Sequence, residues 1–84
     1  MIHKSTLENY PGTLPELAEA LGDLRYDALA KFLQFLADKI EQDAIKDASR
    51  GRMKLAGNLF DCAGSLRVGQ GQIERAWEIC EPYM

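Results

Sequence analysis

Eighty-four residues, 46% of them hydrophobic and 27% charged, describe one globular domain that is too rich in apolar side chains for a disordered segment. Folding at this length buries only about 60% of the surface that the unfolded chain exposes, so any core is thin. Thirteen acidic against ten basic residues leave a net charge of −3, which speaks against a general affinity for nucleic acid. Apolar runs of three or four residues are far short of the ~20 that span a bilayer. The start, Met1-Ile2-His3-Lys4-Ser5-Thr6, has a lysine but no apolar run behind it, unlike a secretory signal, so the cytoplasm is the expected compartment.

Residues 1–12 lack periodicity and close on the turn signal Tyr10-Pro11-Gly12. They are read as an irregular N-terminal arm with Leu7 and Tyr10 lying back on the core. Thr13 followed by Glu16 is a capping box, and Pro15 stands in the first turn, where its missing N–H costs little. Leu14, Leu17, Ala18 and Leu21 make the stripe of a short helix over 13–21, closed by Gly22 as its C′ residue.

Asp23 is the expected cap of a long second helix, 23–50, because neither Gly nor Pro occurs between Leu24 and Ser49. Leu29, Leu33, Leu36 and Ile40 recur at the spacing of one helical face. Phe32 and Phe35 widen it, which predicts burial on more than one side. Beyond Ile40 the stripe thins to Ala44 and Ala48.

Arg50-Gly51-Arg52 is a helix stop. A reversal there sets Leu36 opposite Leu66, Ile40 opposite Cys62, Ala44 near Leu59 and Ala48 near Leu55, so an antiparallel hairpin is expected. The competing reading, one helix running through Gly51, costs only ~1 kcal/mol relative to Ala. A third helix, 52–68, carries Leu55, Ala56, Leu59, Phe60, Ala63 and Leu66. Gly69-Gln70-Gly71 predicts a loop before a last short helix, 71–81, with Ile73, Ala76, Trp77 and Cys80. The apolar phase Leu59, Leu66, Ile73, Cys80 nevertheless passes through the glycines undisturbed. One long helix is therefore the alternative, at a cost of ~2 kcal/mol for the two glycines. The fold class expected is all-α: a small antiparallel bundle of three to four helices in a single domain, 1–84.

The chemistry-bearing residues do not assemble into a known site. Two cysteines and one distant histidine, His3, fall short of the four ligands of a structural zinc, so Cys62 and Cys80 read as buried small hydrophobes. Gly69-Gln70-Gly71 lacks the third glycine and the Gly-Lys-Ser/Thr ending of a phosphate loop. His3 has no orienting partner in sequence. Asp43 and Asp47 share a helical face with Lys46, Arg50 and Arg52 nearby, as in ordinary surface salt bridges. No catalytic, metal or cofactor residues are assigned, no small-molecule ligand is inferred, and a non-enzymatic protein is expected.

Candidate contact residues remain. Lys46, Arg50, Arg52 and Lys54 form a basic turn that suits a phosphate or an acidic partner, or simply the negative end of a helix. Gly57, Gly64 and Gly71 recur at sevens, a row that lets the N-terminal segment or a second subunit approach closely. Tyr83 and Met84, beyond Pro82, are candidate partner contacts, whereas Trp77 shares a stripe with Ile73 and Cys80. Leu17 to Leu24 is similar to the first helix and turn of a helix-turn-helix, leaving Arg25, Lys31 and Gln34 to meet DNA.

The stretches Gly22-Asp23-Leu24-Arg25-Tyr26-Asp27-Ala28-Leu29 and Ala76-Trp77-Glu78-Ile79-Cys80-Glu81-Pro82-Tyr83-Met84 resemble small uncharacterised helical proteins of cyanobacteria. The resemblance implies a helical fold and carries no active site with it. The function expected is protein–protein interaction or regulation, with self-association as a homodimer. The rivals are a DNA-binding regulator and a ligand or enzyme site formed only between subunits.

Overall fold

The computed structural model describes residues 3–84 and is all-helical. Three helices follow one another: α1 (Leu14–Gly22), α2 (Tyr26–Ser49) and α3 (Met53–Cys80), and a single 3-10 turn, Glu81–Tyr83, ends the chain. Residues 1 and 2 of the N-terminal arm lie outside the described part.

α1 begins as its capping box dictates. The Glu16 N–H donates to Thr13 Oγ1 at 3.3 Å, and the Thr13 N–H donates to Glu16 Oε1 at 3.1 Å. These bonds to Thr13 hold the Glu16 carboxyl below its ordinary range. The other end differs from expectation. Gly22 is the last helical residue and its φ is not positive; Asp23, right-handed, is the C-cap of α1 and caps no second helix. α2 therefore starts at Tyr26, after an extended Arg25, instead of at 23. Thr13→Ala is expected to fray α1, removing a cap of about 1 kcal/mol. It should leave the thermal midpoint of the rest unchanged, because α1 packs extensively against neither long helix. Amide exchange of α1 read beside the melting curve checks both halves of that statement.

The reversal at Gly51 is present and its geometry is local. Gly51, at φ 77°, is the left-handed C′ residue of α2. Its N–H donates to the Ala48 carbonyl at 3.0 Å, and the Arg52 N–H donates to the Asp47 carbonyl at 2.9 Å. These two bonds satisfy carbonyls that the helix end would otherwise leave unpaired. Gly51→Ala is expected to cost about 1 kcal/mol, since an L side chain is strained at this φ. A denaturant midpoint unchanged by that substitution would contradict the turn.

No break occurs at Gly69–Gly71. α3 is continuous over 28 residues, so the separate helices over 52–68 and 71–81 are one. The physical reason lies in the undisturbed apolar phase: continuing the helix keeps Ile73, Ala76, Trp77 and Cys80 along α2, each at least half-buried or partly so. Covering such side chains contributes about 1.5–3 kcal/mol apiece when complete, enough even in part to offset ~2 kcal/mol for two glycines.

α2 and α3 pack antiparallel along their length and α1 joins neither, so the architecture is a two-helix hairpin with an appendage rather than a bundle. Among the described residues, the fully buried apolar side chains are all alanines: Ala30, Ala37 and Ala44 on α2, Ala56 and Ala63 on α3. Both series repeat at seven, the period of a left-handed supercoil. The line of direct contact between two helices is one side chain wide. Alanine there lets the axes approach towards the ~8 Å lower limit of helix packing. The leucines expected to form the core sit beside this seam instead. Leu29, Leu33, Leu36, Ile40, Leu59 and Leu66 are only half-buried, and Phe35 is 63% exposed where burial on several sides was expected. Leu7 is exposed as well, and among the arm's described residues only Tyr10 is partly covered.

Candidate interaction surface

The hairpin has two flanks, and a helical turn of about 100° per residue sorts the side chains between them. Taking the alanine seam as the midline, one flank of α2 presents Leu29, Phe32, Leu33, Leu36 and Ile40. The matching flank of α3 presents Leu55, Leu59, Cys62, Leu66, Gly69, Ile73, Ala76 and Cys80. From Leu29 to Ile40 and from Cys62 to Cys80 this face holds no charged residue, whereas towards the loop Asp43 and Asp47 stand on it beside Leu55 and Leu59.

The opposite flank is polar. Arg67 donates to Asp38 Oδ1 at 3.0 Å and to Glu41 Oε2 at 2.7 Å, bridging α3 to α2. These two acceptors strengthen the Arg67 cation and raise its pKa further. Lys31, Gln34 and Glu74 lie on the same side, with Ile45 and Phe60 as isolated apolar members. Such half-exposed pairs contribute at most about 1 kcal/mol. They fix which flank faces water more than they stabilise the hairpin.

The structure does not bring the candidate residues together. The glycine row Gly57, Gly64, Gly71 runs along the polar side of α3, and a Cβ built at any of the three meets nothing within 4 Å. Neither the described residues of the N-terminal arm nor α1 lies there. Gly64→Ala combined with Gly71→Ala is therefore expected to stabilise the protein by about 2 kcal/mol, raising the thermal midpoint by roughly 10 °C. A drop in the midpoint would show that the row is packed against another backbone. Tyr83 and Met84 are 89% and 78% exposed at the open end of the hairpin, apart from the apolar flank.

Of the basic turn, Arg52 is engaged with an acid of α2. Arg52 reaches Asp47 at 3.3 Å, and nearby Lys39 pairs with Asp43 at 2.7 Å, holding that carboxyl below its usual range. With His3, Arg50, Leu55 and Leu59, these acids border a concavity of about 440 Å³ at the loop end. Lys46, Arg50 and Lys54 are exposed. Among the described residues no buried polar side-chain atom lacks a partner, and no three His, Cys, Asp or Glu converge as metal ligands.

The residues set aside for DNA are likewise separated. Arg25 makes two bonds to Asp27, at 2.7 and 2.8 Å, and its guanidinium lies 5.3 Å from the Trp77 ring centroid. That pairing depresses the Asp27 carboxyl. Lys31 points from the polar flank and Gln34 is half-buried.

Cys62 and Cys80 correct the expectation of buried thiols. Cys62 is exposed and Cys80 half-buried, both free. Eighteen residues are five helical turns, so both stand on the apolar flank of one straight helix, ~27 Å apart and beyond reach of an intrachain disulfide. Among the described residues no helix is long and apolar enough to cross a membrane. Compared with protein-family models, curated proteins and solved structures, the chain gives no match.

Proposed function

We propose that the chain is a non-enzymatic protein–protein interaction module whose working surface is the apolar flank of the α2–α3 hairpin. One observation carries this reading: twelve apolar side chains, Leu29, Phe32 and Leu36 to Leu66, Ile73 and Cys80 among them, form a continuous face that stays half-exposed or exposed among the described residues, with Asp43 and Asp47 only at its loop end. Interface centres are depleted in charge and enriched in large apolar side chains, whereas the surface of a monomer seldom carries a continuous apolar patch of this size. The opposite flank, with Arg67 bridging Asp38 and Glu41, has the composition of a water-facing surface.

A photo-reactive phenylalanine analogue at Phe32 tests the reading in living cells. Irradiation should join the chain covalently to a protein, and the same analogue at Val68, exposed on the other side of α3, should give no adduct. Equal labelling from both positions, or none from Phe32, would refute the assignment of the working face.

A further inference from the structure

We infer that the occupant of the apolar flank is a second copy of this chain, so that two hairpins close on one another as a four-helix bundle. The inference rests on the reading of that flank as a protein–protein surface and names its partner.

The argument begins with area. A folded monomer of 9.4 kDa is expected to expose about 5,000 Å². This chain exposes 6533 Å², an excess of about 1,500 Å². If half of that excess belongs to the extended N-terminal arm, what is left still equals the ~800 Å² that each partner buries in an interface of standard size. The chain is also elongated, with a radius of gyration of 15.3 Å against about 12 Å for a compact domain of this length.

Packing gives the second argument. Since only alanines are fully buried among the described residues, the hairpin lacks the large-side-chain core that a domain needs to stand alone. Leu29, Leu33, Leu36, Leu59 and Leu66 beside the seam are half-covered and Leu55 is exposed, which is the state of a core cut along its middle.

Shape gives the third. The apolar flank is two antiparallel helices wide, and its uncharged part runs ~27 Å along α3, from Cys62 to Cys80, within the dimensions of half a four-helix bundle. A hairpin of equal length completes it. A two-fold axis requires the patch to match itself, and the stretch free of charge from Leu29 to Ile40 and from Cys62 to Cys80 sets no like charges against each other, with Asp43 and Asp47 left at its loop end.

Sedimentation equilibrium of the full chain, from about 100 µM downwards, tests the inference, with reactivity of the Cys62 thiol towards an aromatic disulfide read on the same samples. The expected result is a species of twice 9.4 kDa whose Cys62 reacts at least tenfold more slowly than in urea, although Cys62 is exposed in the single chain. A folded 9.4 kDa monomer with a freely reactive Cys62 at 100 µM would overturn the second copy. The adducts formed at Phe32 separate this failure from that of the underlying reading. Adducts of twice the chain mass support self-pairing, adducts of another mass overturn it while keeping the interaction face, and no adduct removes both. Cys62→Asp, at an already exposed position within the flank, provides a milder variant that keeps the helix and, read by sedimentation, should raise the dimer dissociation constant at least tenfold.

Discussion

Leu36→Asp is expected to abolish self-association and, with it, most of the helical signal at micromolar concentration. Leu36 stands at the middle of the apolar flank and is only half-covered within its own chain. A carboxylate there costs little in an isolated hairpin, where water still reaches it. In a closed interface it must be desolvated without a partner, at several kcal/mol per copy. Two-fold symmetry imposes the cost twice, so the dissociation constant should rise by at least ~100-fold, each 1.4 kcal/mol being a factor of ten. Ile45→Asp is the matched control: Ile45 is 56% exposed on the polar flank, and its replacement should change stability by no more than about 0.5 kcal/mol. Sedimentation and far-ultraviolet circular dichroism on the two variants give the comparison. Equal effects from both, or none from Leu36→Asp, would contradict the assignment of the working face.

Ala37→Leu is expected to be the most damaging conservative change within the hairpin. Ala37 is 0% exposed, at the centre of the seam. Three extra carbons there must push α2 and α3 apart or force neighbouring rotamers, at about 1–3 kcal/mol. For a chain of this size that lowers the thermal midpoint by roughly 5–20 °C. Ala28→Leu adds the same atoms to the solvent side of α2, where Ala28 is exposed, and should be neutral. A melt in which Ala37→Leu matches Ala28→Leu would show that the seam is not where the two helices touch. The pair therefore tests the alanine seam separately from the outer flank.

Much of the local structure was legible because its causes are local. Thr13 and Glu16 bond each other across three residues whatever the rest of the chain does. Gly51 turns left-handed because an unbranched backbone is needed to bring the Arg52 N–H to the Asp47 carbonyl. Asp23 shows the limit of such signals: a residue able to cap one helix ends another, since Gly22 is tolerated as a last helical residue. The apolar flank was legible only as a stripe. Its leucines were identified, but the sequence did not say whether they would be covered.

The all-helical class, the α1 cap and the reversal at Gly51 were thus determined by the sequence alone, through hydrogen bonds and backbone freedom spanning five residues or fewer. The continuity of α3 through Gly69 and Gly71, the choice of alanine over leucine for the seam, and the bareness of the flank were decided by tertiary structure. Each depends on how many helices surround a given side chain. With α1 held away there is only one neighbour for each long helix, so the smallest residues take the contact line and the largest are left facing outward.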